Sequence, residues 1–157
     1  PAVPTICVGQ PHRLDPSRVP EGKAVLWLQI PDAPRVVKGD AGGEIATDGA
    51  WSEAVREVFA DRIEGILRRH IKDFDAIKLA RRAYSPVDLE AMNVNLVGGD
   101  PYGGLCSIDQ FFIFRPYAHS TNGTGLVRGL IHIGASTHPG PGLGGGSGFL
   151  AAKRLGA

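Results

Sequence analysis

Residues 129–155 (GLIHIGASTHPGPGLGGGSGFLAAKRL) constrain the fold more than any other stretch of the chain. A short apolar run, Leu130, Ile131 and Ile133, reads as a buried strand. A loop almost free of side chains follows it. A helix then begins at about Ser147 and carries Phe149, Leu150, Ala151, Ala152 and Leu155. Glycine lets another group approach the backbone closely. The first N–H groups of a helix have no intrahelical partners and favour negative charge. Strand, glycine loop and helix start together make a standard site for an anion or a nucleotide.

Within this stretch, residues 140–145 (GPGLGG) satisfy G-x-G-x-x-G. Taken literally, that is a dinucleotide fingerprint, which opens a βαβ unit and is followed about 20 residues later by an acid for the ribose. No acidic residue follows Gly145, so a self-standing nucleotide-binding domain is disfavoured. A P-loop fails as well, because no Gly-Lys-Ser/Thr closes the loop. A glycine connection needed only for tight turning stays open as an alternative.

The rest of the composition narrows the function classes. At 157 residues one domain with a real core is expected. A net charge of +1 leaves no footprint for nucleic acid or an anionic membrane. No apolar run approaches the roughly 20 residues that span a bilayer, and the first residues do not read as a signal peptide. An intracellular, cytoplasmic location is therefore expected. Cys7 and Cys106 lack redox or metal spacing and read as buried free thiols. His12, His70, His119, His132 and His138 are scattered without ligand spacing, so no metal is expected. The missing initial methionine suggests a piece of a longer chain.

Along the chain, residues 4–9 and 23–30 read as strands, separated by turns rich in Pro and Asp. Residues 38–49 read as a surface loop tolerant of insertion. A long amphipathic helix is expected from Asp48 or Gly49 to about Phe74. Trp51, Val55, Val58, Phe59, Ile63, Ile66, Leu67 and Ile71 form its apolar stripe, placed to cover a sheet. Residues 76–84 alternate enough to be a strand. Ser85, Pro86 and Asp88 mark the start of a short helix ending near Met92. The aromatic-rich segment 107–117 follows.

The residues of the final stretch carry a resemblance. Residues 129–144 (GLIHIGASTHPGPGLG) resemble the C-terminal signature of flavin-dependent oxidoreductases of the phytoene desaturase type, G-L-Y-L-x-G-A-x-T-H-P-G-x-G-V. Residues 15–23 (DPSRVPEGK) resemble the family's turn before a central strand. Gly98, Gly99 and Asp100, then residues 105–112 (LCSIDQFF), Arg115 and Pro116, resemble its G-G-D…L-S-x-D-Q-x-F…R-P run. That run looks closest to the branch of pyridine nucleotide-disulfide oxidoreductase domain-containing proteins.

The resemblance implies an α/β fold, here an α+β fragment. It would hold a mixed sheet and long amphipathic helix from a substrate domain, plus the last strand and helix of a Rossmann-like FAD domain. Residues 1–105 would be late substrate domain, 106–125 a junction and 126–157 the returning strand, loop and helix. Gly134, Ala135 and Ser136 would approach the FAD phosphate and ribityl chain. The amides around Gly142, Leu143 and Gly144 would face the pyrimidine edge of the flavin. Asp109, Phe112, Arg115 and Tyr117 would line a substrate cavity; a purely structural hydrogen-bond network or core stays open for them. No catalytic side chain is identified, since hydride transfer to flavin needs no nucleophile.

The full protein would be an FAD-dependent oxidoreductase acting on an apolar or amine small molecule. The 157-residue chain would bind FAD weakly or not at all and be inactive, because it lacks a second G-x-G-x-x-G. A non-catalytic interaction module keeping the flavoprotein fold is the alternative. The returning strand would have unpaired edges, which invites a homodimer or poor order. A peripheral membrane contact of the full protein also stays open.

Overall fold

Apolar spacing and a clear cap place the longest helix. In the computed structural model, which describes residues 1–110, 115, 127–142 and 145–156, it runs Glu53–Leu67 (α1). Ser52 caps it, its hydroxyl accepting from the Val55 N–H at 3.2 Å. Val55, Ile63 and Leu67 are its buried apolar residues, and Trp51 meets Phe59 edge-on at 5.8 Å.

The chain divides into two compact units, Pro1–Val87 and Asp88–Ala157. In the first, Cys7–Gly9 (β1) pairs antiparallel with Trp27–Gln29 (β2), with Val8 opposite Leu28. Both expected strands are present but short. Among the described residues the sheet has these two strands, so it is antiparallel rather than mixed. Small helices plus a small sheet make the observed class α+β.

The expected long helix stops early. After Leu67 the chain tightens, with His70 and Ile71 both donating to the Leu67 carbonyl. Asp73 adopts a left-handed conformation (φ 54°), and a separate short helix, Phe74–Ile77 (α2), follows. Arg68 clasps Asp75 at 2.8–3.0 Å and fixes this fold-back.

Residues 78–84 form no strand, contrary to the alternation reading. Charge on α1 decides their path. Lys78 meets the buried Glu64 carboxylate at 2.8 Å, and Arg81 reaches Glu57 at 2.9 Å and Asp61 at 2.6 Å. The segment is laid along α1 by ion pairs, while Leu79 stays exposed.

Residues 38–49 are also more constrained than a tolerant loop. The Asp40 carboxylate accepts from the N–H groups of Gly42, Glu44 and Ile45. Arg62 of α1 grips the same carboxylate with two 2.6 Å hydrogen bonds. The Arg62 guanidinium, helped by these N–H groups, holds the Asp40 carboxyl far below the usual carboxylate range against the opposing effect of desolvation.

Pro86–Met92 (α3) starts at the expected Pro86 and ends at Met92, with Ser85 buried just before it. In the second unit, Gly146–Leu155 (α4) is the final helix. The apolar run before the glycine loop is not a strand: only a single-residue bridge at Ile131 is formed. Leu130 and Ile133 are 60 % and 53 % exposed. Cys7 and Cys106 are free but exposed, which corrects the buried-thiol reading. No described helix is long and apolar enough to cross a membrane.

Candidate functional site

Gly145, Gly146 and Gly148 leave the described start of α4 nearly free of side chains. Gly145 stands at the N-cap in a left-handed conformation (φ 57°) and gives no side-chain cap. Lys153 and Arg154 occupy the last turn, where cations complement the helix dipole. The first turn therefore offers backbone N–H groups and partial positive charge to whatever lies before it.

Small residues also let the preceding loop seat against α4. A Cβ at Gly146 would stand 3.0 Å from Pro139 Cγ, a contact that Pro139 would have to relax to accept. The Ser147 hydroxyl accepts from the Gly134 N–H at 2.8 Å. The Gly134 carbonyl accepts from both the Thr137 N–H (3.1 Å) and the Thr137 hydroxyl (2.9 Å). The Gly140 N–H donates to the Thr137 carbonyl at 2.6 Å. Thr137 is fully buried at the centre of this knot.

A buried guanidinium braces the other side. Arg115, 2 % exposed, donates from Nε to the Ala135 carbonyl at 2.9 Å. Its terminal nitrogens donate to the Leu105 carbonyl at 3.1 Å and the Tyr102 carbonyl at 2.7 Å. Gly103 (φ 67°) lies so close to the loop that a Cβ would stand 3.1 Å from the Ser136 nitrogen and 3.2 Å from Ala135 Cβ.

The expected cofactor residues can now be placed. Gly134 has an open Cα face, since a Cβ there would meet nothing within 4 Å, but its N–H and carbonyl are both engaged. Ala135 is half-buried and held by Arg115. Ser136 is half-buried, its hydroxyl 3.2 Å from His132 Nε2. Gly142 is exposed with open space around it. Leu143 and Gly144 lie outside the described residues.

Of the expected substrate residues, Phe112 and Tyr117 also lie outside the described residues. Asp109 is exposed, and a hydrogen bond from the Ser107 hydroxyl lowers its carboxyl below the ordinary value. Arg115 is committed to three backbone carbonyls. Sequence reasoning does not single out Thr137, Ser147 or Gly103 as structural partners of the loop. The one available hint is Ser147, a lone hydroxyl in a glycine-rich helix start.

An uncapped helix start beside open glycine backbone suits a planar, partly anionic group. The described residues of the loop and helix start supply no ribose-binding acid. Among the described residues no cluster of His, Cys, Asp or Glu could hold a metal ion.

Over 147 residues the chain is 31% identical to mouse pyridine nucleotide-disulfide oxidoreductase domain-containing protein 2, covering 94% of this chain and 23% of the relative. It is 29% identical over 149 residues to a limonene dehydrogenase subunit of Castellaniella defragrans, covering 90% and 25%. It is 29% identical over 144 residues to a zeta-carotene-forming phytoene desaturase of Myxococcus xanthus, covering 91% and 25%. The chain is a relative of the phytoene desaturase-like oxidoreductases. As such a relative it is matched nearly end to end, yet it spans only about a quarter of the length of these proteins. No family model and no solved structure matches it.

Proposed function

We propose that this chain is the C-terminal portion of an FAD-dependent oxidoreductase of the desaturase and amine-oxidase type. The observation that carries the reading is the loop 134–142, tied to the uncapped start of α4. In the family this loop resembles, the same motif is the flavin-end signature. Residues 1–105 belong to the late substrate domain, 106–125 to a junction and 126–157 to the returning part of a Rossmann-like FAD domain.

A bound flavin supplies a two-electron acceptor for a hydride from a C–H bond of an apolar or amine substrate, the neighbouring proton leaving to water as a C=C or C=N bond forms. The chain's residues contribute electrostatics and position. The first N–H groups of α4 stabilise negative charge at the pyrimidine edge, the usual protein contribution in cofactor enzymes. Gly134 and Gly142 give close access, and Ala135 and Ser136 set the path of the backbone beside the ribityl chain. By the same resemblance Asp109, Phe112 and Tyr117 are assigned to the substrate cavity, whereas Arg115, expected there too, is spent on backbone carbonyls.

Two preparations test this. The full-length protein, purified, is expected to show stoichiometric flavin by its visible absorption, and a colourless preparation that FAD cannot reconstitute would sink the oxidoreductase reading. The 157-residue chain, titrated with FAD, is expected to bind weakly or not at all and to be inactive. Stoichiometric flavin on that chain would refute the split site.

A second reading, an interaction module that keeps the flavoprotein fold, is favoured by one observation. Leu130, Ile133, Phe149 and Leu155 are all more than half exposed. Such exposed apolar surface suits contact with a second copy. Full-length protein that associates but binds no flavin would select this reading.

A further inference from the structure

We infer that Arg115 is a positioning residue for the cofactor loop, acting through the backbone of Ala135 and Ser136 and touching no substrate. The inference deepens the flavin reading above and rests on it for its functional half.

A free arginine in a substrate cavity keeps donors facing the cavity. Arg115 does the opposite. It is buried, and each of its three nitrogens donates to a backbone carbonyl. Two of those carbonyls, Tyr102 and Leu105, flank a glycine turn. The third, Ala135, lies in the loop before α4. One rigid planar group therefore fixes the distance between two otherwise irregular segments. Lysine cannot replace it, because an ammonium is a point donor without the fork geometry.

Gly103 completes the clamp. The Arg115 fork holds the 102–105 turn against the loop, and the absence of a Cβ at Gly103 lets the two pack this closely. Any side chain there would press on the Ser136 nitrogen and the Ala135 side chain, and the left-handed φ of 67° adds strain. Two independent features, a buried fork and an excluded Cβ, hold the same two residues in register. Those are the residues the flavin reading places beside the ribityl chain.

The opposite side of the loop is held differently, through Ser147 and Thr137. The loop therefore has two separable anchors. Loss of the Arg115 anchor should move residues 135 and 136 while the α4 anchor keeps Gly134 in place. A cofactor loop misplaced by about 1 Å can cost on the order of 10²-fold in function.

The test uses the full-length protein with Arg115→Lys and, separately, Gly103→Ala. Hydrogen exchange without flavin is read first. Both variants are expected to speed exchange of the amides at 135–137 while amides of α1 and the second half of α4 keep their protection. Flavin affinity is read next, with an expected loss of at least about tenfold and an altered shape of the bound flavin's visible band. Three results would overturn the inference: unchanged exchange at 135–137 in both variants; loss of protection across all of α4 as well, which marks a merely structural role; or unchanged flavin affinity and spectrum despite faster loop exchange. If the wild-type protein binds no flavin, the oxidoreductase reading fails, and the exchange result alone decides whether Arg115 holds the loop.

Discussion

Replacing Thr137 separates the two contributions that its buried side chain makes. The side chain is fully buried. Its hydroxyl donates to the Gly134 carbonyl at 2.9 Å, and its own N–H donates to the same carbonyl at 3.1 Å. Thr137→Val removes the hydroxyl but leaves that carbonyl with the N–H. No buried acceptor is orphaned, so the loss is one net hydrogen bond, about 1 kcal/mol, partly offset by the added methyl. Thr137→Ser keeps the bond and loses a buried methyl, about 0.8 kcal/mol plus a small cavity cost. Thr137→Ala loses both, about 2 kcal/mol, which for a chain of this size lowers Tm by roughly 4–8 °C. The expected order of cost is Val below Ser below Ala. The probe matters, because Trp27 and Trp51 both belong to the first unit and their fluorescence is blind to the loop. Exchange of the α4 amides with urea reports the second unit directly. The reasoning fails if Ala costs no more than Val, since a methyl packed on all sides must then contribute nothing. It fails equally if Val costs more than about 2 kcal/mol, which would mean the hydroxyl serves a second partner.

Ser52→Ala should cost about 1 kcal/mol through loss of the α1 cap, read as a lower urea midpoint by tryptophan fluorescence; no change would mean the first turn is capped otherwise. Asp40 has a carboxyl lowered chiefly by Arg62, so its contribution is present above the unfolded carboxylate value of about 3.9 and is lost as pH falls below it. Acid unfolding of the first unit should begin there, and Asp40→Asn should lower stability at neutral pH while flattening this acid limb. An unchanged acid limb in that variant would remove Asp40 from the account. Ile133→Lys should reduce self-association in sedimentation velocity if the exposed run 130–133 pairs with a second copy, and an unaltered association constant would place any contact elsewhere.

Local signals are legible in this sequence, and long-range ones are not. The Ser85, Pro86 and Asp88 signature sets the start of α3, because a cap acts within one turn. The glycine and apolar pattern sets α4 for the same reason. Periodicity misplaces the end of α1 because the apolar stripe continues through Ile71 and Phe74 while the helical backbone does not. What turns the chain is the Arg68–Asp75 clasp, a contact between two exposed charges that periodicity cannot see. Residues 78–84 mislead on the same ground: Lys78 and Arg81 find carboxylates 14 to 24 positions away. At the candidate site, the motif points to open backbone near Gly134 and Gly142. The bracing comes from Arg115, 20 residues before its partner Ala135, and no spacing rule links the two.

The buried groups of the second unit explain why its loop depends on such bracing. Among the described residues they are Gly99, Arg115, Thr137, Ser147 and Ala151. Among the described residues this set holds no large aliphatic side chain, whereas the first unit buries Val37, Val55, Ile63 and Leu67. Apolar burial stabilises in proportion to area and tolerates small shifts. Hydrogen bonds to backbone carbonyls are directional, and a buried donor left without a partner is costly. A loop held this way gains little margin from each contact but is fixed closely in position. Losing one polar anchor should therefore change where the loop lies before it changes whether the unit folds. That is the property a cofactor-facing loop needs, because a helix start stabilises a developing charge only when the two are held at the right distance.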